Sequence, residues 1–198
     1  MNTFNHAILT RRSRYELNRE STLEDSELQA RLAATIKHMP SPFHAQHQRA
    51  VLVLGKQHDA LWELVRRTLK KRVKPNKLKQ TNDKIDGFKR SYGTILFFDD
   101  WPTIDALQTK YPRYKDTWAL WAHQSQGMAQ FAVWMMLADA GMGASLQHYN
   151  PLIDDDVTQA FDIPKGWKLA AQMPFGKPVG SPKDKTFKPI EHRVLIRT

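Results

Sequence analysis

No cysteine occurs in the 198 residues. That absence excludes a disulfide framework, thiolate-ligated metal and thiol redox chemistry. Long apolar runs are missing too. The most apolar stretch, 131–140, falls well short of the roughly 20 residues a membrane-spanning helix needs. The opening residues, Met1-Asn2-Thr3-Phe4-Asn5-His6, lack the basic-then-apolar order of a signal peptide. A cytoplasmic protein without a membrane segment is therefore expected. Phosphate-cradling GxGxxG and GxxxxGK[ST] loops are absent, as are HExxH, paired His and carboxylate spacings and a GxSxG elbow. Rossmann, nucleotide P-loop, zinc-enzyme and serine-hydrolase readings lose their support. No side chain presents itself as a catalytic group or a metal ligand, so a bound organic cofactor would have to bring the reactive centre.

Acidic residues are the other shortage. Lys and Arg number 30 against 20 Asp and Glu, a formal net charge of +10. Much of the excess lies between Arg49 and Arg90, where Arg66, Arg67, Lys70, Lys71 and Arg72 cluster. Such a run reads first as a solvated face, next as an attractor of anionic cofactors or substrates, and last as a nucleic-acid surface. It lacks the interleaved aromatic residues of a single-strand platform, which counts against nucleic acid as a partner.

What is present suits one domain over 1–198: 41% hydrophobic residues, enough for a core. A short helix is expected over 4–12, and a second from about 22 or 26 to 38, where Leu28, Leu32, Ile36 and Met39 share one face. Pro40 and Pro42 stop it. The fully apolar run 50–54 reads as a central strand, and 92–98 as a second. Helices are expected at 59–73, 114–140 and 154–161, and a further strand at 167–173. The helix over 114–140 carries Trp118, Trp121, Phe131 and Trp134 and is apolar on several faces, which points to core or subunit interface. Gly143 to Leu146 reads as a short strand or turn. The stretch 177–189 reads as an extended arm and 193–196 as a last strand, free to pair with another subunit. The mixture is α+β, with a central mixed or antiparallel sheet flanked by helices.

Four segments could carry binding chemistry. Arg11-Arg12-Ser13 at a helix end can neutralise and hydrogen-bond a phosphate, or simply cap the helix at the surface. The loop Ser41-Pro42-Phe43-His44-Ala45-Gln46 sits just before a strand, where polar groups are well placed to meet a ligand. His44 reads as a loop hydrogen-bonder more readily than a base. Gly141-Met142-Gly143-Ala144-Ser145-Leu146-Gln147-His148 lets backbone approach a flat ligand, or is a helix C-cap and a strand. The basic arm 183–189, with Lys183, Lys185 and Lys188, can add phosphate contacts or only solubility.

Taken in order, these segments resemble the nitroreductase family. The stretches 126–134 and 144–151, together with Gln172-Met173-Pro174-Phe175-Gly176-Lys177-Pro178, look like its branch of fungal and bacterial stress-response members. The resemblance implies an FMN-dependent NAD(P)H oxidoreductase that reduces nitroaromatic, quinone or similar acceptors by ping-pong hydride transfer. It implies an intertwined homodimer with the C-terminal strand exchanged and each FMN site built by both chains. Carried over by position, Arg11, Arg12 and Ser13 would hold the phosphate with Lys185 and Lys188. Ser41, Pro42, Phe43, His44 and Gln46 would line the flavin from the other subunit, and Ser145, Leu146, Gln147 and His148 would run along its N5 edge. Two positions depart from the family: Tyr15 stands where a second basic residue is common, and His44 where asparagine is. A flavin-binding regulatory protein with little turnover would have nearly the same sequence.

Overall fold

In the computed structural model, which describes residues 3–182 and 184–198, the elements run α1 (Thr3–Thr10), β1 (Leu17–Asn18), α2 (Asp25–Lys37), β2 (Gln48–Leu54), α3 (Gly55–Lys70) and α4 (Leu78–Lys89). They continue with β3 (Gly93–Asp100), α5 (Trp101–Lys110), α6 (Trp118–Asp139), β4 (Gly143–Ala144), α7 (Asp154–Ala160) and β5 (Trp167–Pro178). The two most apolar runs pair with each other. β2 and β3 are antiparallel from Gln48↔Asp99 to Leu54↔Gly93, and β3 pairs antiparallel with β5. The strand order is β1-β5-β3-β2, with β4 on the other edge of β5. The sheet expected as mixed or antiparallel is antiparallel throughout its paired strands.

Alternation along β3 builds two cores, because successive strand residues point to opposite faces. Leu96 and Phe98 pack with Leu61, Trp62 and Val65 of α3, Ile85 and Phe88 of α4 and Val157 of α7. Ile95 and Phe97 pack with Leu28 and Leu32 of α2 and Val133 and Leu137 of α6. A register shift, where Phe97 faces Ala171 but Phe98 faces Leu169, inserts one extra β5 residue. That bulge moves Leu169 to the first core while Ala171, Met173 and Phe175 stay in the second.

Two expectations need correction. The basic stretch holds a second helix, α4, packed on α3, and its charges are partly paired: Arg66 with Glu63 and Asp86, and Lys89 with Glu63. β5 runs on through Pro174 and Gly176 to Pro178. The strand expected over 193–196 exists only by pairing with a second subunit's sheet; in the single chain Val194, Leu195 and Ile196 are 57%, 70% and 78% exposed.

Candidate cofactor-binding site

The first and third candidate segments meet. Ser13 bridges Ala144 in parallel, and the Arg14 N–H donates to the Ala144 carbonyl at 2.9 Å. The approach demands glycine at 143, since a Cβ there would lie 2.9 Å from Cβ and Cγ of Arg14. The arm folds back onto the same strip. Val179 N–H donates to Glu16 O at 3.0 Å, and the Arg14 guanidinium donates to Val179 O at 2.8 Å and to Gly180 O. A cavity of about 500 Å³ results, walled by Arg12, Ser13, Arg14, Tyr15 and Lys185, with Glu16 the one carboxylate on its lining. Three cationic side chains around a hydroxyl make a site for a dianion. Arg11 lies elsewhere, its guanidinium over the Trp134 ring, 4.5 Å from the centroid. Burial, then neighbouring Arg12, holds its pKa below the usual guanidinium value. Lys188 is exposed on the arm and does not line the cavity; Lys183 lies outside the described residues.

Beyond β4 the chain stays against β5. Ser145 N–H donates to Pro174 O at 3.2 Å, and Gln147 and Gln172 exchange backbone bonds of 2.7 and 2.9 Å. Strand alternation turns the intervening amides of Leu146 and His148 away from β5. Ser145 and Gln147 are buried, with Gln147 Nε2 donating to Ser145 Oγ at 3.1 Å. Leu146 is half-buried and His148 exposed.

The loop before β2 is backbone-strained. Phe43, His44 and Gln46 take φ of 52°, 55° and 50°, a left-handed conformation that costs a non-glycine residue about 1–2 kcal/mol. Neighbours hold it there. Ser41 Oγ accepts the Gln46 N–H at 2.9 Å, His44 N–H donates to Ser41 O at 3.0 Å, and Arg49, paired with Asp100 at 2.6 Å, donates to Gln46 O. Ser41 thus shapes the loop with its own side chain. Phe43 is 52% exposed and leans on Tyr111, Trp118 and Tyr114, with centroids at 4.7, 5.4 and 5.8 Å. The sequence reading missed Tyr111 and Tyr114, whose only signal was their place around Pro112 at a helix start.

One chain does not bring this loop to the Arg12 cavity. Gln48 aligns through Asp99 with Lys168 at one end of the sheet, whereas Ala144 aligns with Phe175 at the other. At a strand's rise of about 3.3 Å per residue, Lys168 to Phe175 alone spans roughly 23 Å. The two sets also lie at opposite ends of α6, whose 22 residues make ~33 Å of helix.

The family model for the nitroreductase family matches residues 8–177. The chain belongs to the nitroreductase family. It is 28% identical over 184 residues to the nitroreductase FRM2 of Saccharomyces cerevisiae, covering 92% of this chain and 91% of that one. The solved nitroreductase CinD of Lactococcus lactis, in complex with chloramphenicol, is 33% identical with a TM-score of 0.90 over 98% of this chain and 100% of its own. A solved structure from Exiguobacterium sibiricum, in complex with FMN, shares the nitroreductase fold at a TM-score of 0.72 and 14% identity, covering 98% of this chain and 97% of its own. Family and fold make the protein an oxidoreductase of α+β architecture. Among the described residues no helix is long and apolar enough to cross a membrane, and no group of His, Cys, Asp and Glu is arranged to hold a metal ion.

Proposed function

We infer that the chain is an FMN-dependent, cytoplasmic oxidoreductase that takes reducing equivalents from NADH or NADPH and passes them to nitroaromatic, quinone or similar acceptors as a homodimer. The observation that carries this reading is the cationic cavity of Arg12, Ser13, Arg14 and Lys185 beside a glycine-permitted backbone approach at Gly143. Those residues fit FMN, whose phosphate needs cationic donors and whose ring needs an open amide edge. When bound, FMN supplies the centre that accepts hydride from the nicotinamide and returns it to the acceptor. Arg12, Ser13 and Lys185 neutralise and hydrogen-bond the phosphate. The Leu146 and His148 amides face the ring, where fixed dipoles stabilise developing negative charge. The strained Ser41–Gln46 loop comes from the second subunit, and Phe43 with Tyr111 and Tyr114 forms an aromatic wall on which a flat acceptor stacks. The complexes of CinD with chloramphenicol and with 4-nitrophenol support an aromatic acceptor, and the bound FMN of the E. sibiricum structure supports the cofactor.

The purified protein should be yellow, release FMN on denaturation and oxidise NADH or NADPH when a quinone is supplied. Arg12→Ala, losing one charged hydrogen-bond donor worth about 1.5–3 kcal/mol, should weaken FMN affinity roughly 10- to 100-fold in a fluorescence titration. A colourless protein that takes up no added FMN would defeat the reading.

A further inference from the structure

A second cavity, of about 330 Å³, lies at the opposite end of the sheet from the Arg12 site, between β3, α6, α7 and the start of β5. Its wall carries donors on Trp101, His123, Gln130, Asn150 and Lys168, yet none of them meets three of its buried acceptors. Asp99 and Gln126 line it, each only 2% exposed. Among the described residues Asp99 Oδ1, Gln126 Oε1 and Asp154 Oδ1 are buried with no hydrogen-bond partner. Gln126 cannot turn to relieve this, because its Nε2 already donates to Phe98 O at 2.8 Å. A folded protein rarely leaves one such acceptor unmet, since each costs about 1–3 kcal/mol. Three on one wall make a place that would hold a ligand bringing its own donors.

We propose that this cavity binds a small N–H-bearing organic cation, an ammonium or guanidinium group, held by Asp99, Gln126 and Asp154. Charge selects a cation over a neutral donor. Asp99 and Asp154 face the space against one full cation, Lys168, whose Nζ is already drawn 3.9 Å from the Trp101 ring centroid. Two imidazoles flank Asp99. His47 Nε2 stands 3.5 Å from Oδ1 and His123 Nδ1 3.8 Å from Oδ2, both beyond a good hydrogen bond. His47 is buried, its pKa lowered by desolvation, so it stays neutral and leaves the carboxylate uncompensated. Behind the wall, Asp100 is occupied by Arg49. The space is too small for a nucleotide and suits an alkylamine of a few carbons. The site stands independently of the flavin reading.

The test is calorimetric titration of the purified protein with propylammonium chloride, with propanol and sodium chloride as the neutral and ionic-strength controls. Propylammonium should bind in the millimolar range and propanol should not. Burial pushes the Asp99 carboxyl up to about 7, so affinity should rise about tenfold from pH 6 to pH 8 as it ionises. Asp99→Asn should lower affinity at least tenfold. Asp154→Asn, at a half-buried position, gives a second reading should the first variant fold poorly, and should lower affinity several-fold. Equal binding of propanol, unchanged affinity in a folded Asp99→Asn or Asp154→Asn protein, or a crystal soaked in propylammonium with only water in the cavity would overturn the proposal.

Discussion

Two buried titratable residues pull the stability of this protein in opposite directions with pH. His58 is fully buried, with Nδ1 3.0 Å from Thr94 Oγ1 and Nε2 3.3 Å from Lys89 O. Desolvation lowers its pKa to about 4. Its unfolded form binds a proton first, so this residue's contribution is present above the unfolded value near 6.5 and falls by about 3 kcal/mol as pH drops toward 4. Asp99 does the reverse. With a folded pKa of about 7 against an unfolded 3.8, its contribution is present in acid and is lost, by about 4 kcal/mol, as pH rises to 7. The two nearly cancel between pH 4 and 6.5, so the wild-type melting temperature should change little there on their account. Asp99→Asn should uncover the His58 slope, with stability climbing as pH rises, and should melt higher than wild type at pH 8. His58→Gln should show the falling slope instead. Melting curves of the three proteins from pH 4 to 8 decide it, and parallel slopes in all three would contradict the assignment.

At the scale of elements, the same left-handed backbone that marks the Ser41–Gln46 loop sets its expected mutational behaviour. His44→Gly removes a strain of about 1–2 kcal/mol while making the unfolded chain more flexible, at a cost of about 0.5–1 kcal/mol. The variant should melt slightly higher yet bind FMN more weakly, because the loop loses its fixed form; a drop in melting temperature with unchanged affinity would show the strain to be structural only. Gly176→Ala should act oppositely. A Cβ there would sit 2.5 Å from the Asn18 carbonyl oxygen, and such overpacking costs about 1–3 kcal/mol. These two positions also show what was legible in the residues. Strongly periodic or fully apolar stretches, such as Leu28 to Ile36, Val51 to Leu54 and Ile95 to Phe98, announced their elements. α4 did not, because only Ile85 and Phe88 of its length are buried among lysines. β5 was cut short because Pro174 and Gly176 resemble breakers, whereas they serve a strand whose neighbours come unusually close. Arg12, Ser13 and Lys185 were legible as one cluster only through family resemblance, since nothing local ties position 12 to 185. The strain at Phe43, His44 and Gln46 had no signal at all, because no glycine marks it. The burial of Asp99 had no local signal, since it depends on α6 and α7, distant in sequence.

At the scale of the whole molecule, the apolar surface left open supports the proposed dimer. Leu120, Met128 and Phe131 of α6 are 55%, 51% and 45% exposed, Leu9 of α1 73%, and Phe187, Leu195 and Ile196 of the arm 70% or more. Patches of this kind mark protein contacts. The proposed two-fold dimer, packed along α6, would bring the Arg12 end of one chain to the loop end of the other, so that two residue sets some 23 Å or more apart along the sheet of one chain share a ligand. Mixed dimers test that directly. An Arg12→Ala, Ser13→Ala chain and a His44→Ala, Gln46→Ala chain should each bind FMN poorly as homodimers. When the two are co-expressed with different affinity tags and the heterodimer is isolated, one composite site carries both lesions and the other carries neither. The heterodimer should therefore hold one FMN per two chains with near wild-type affinity. If each site were built within one chain, both sites of the heterodimer would carry a lesion, and tight binding would not return.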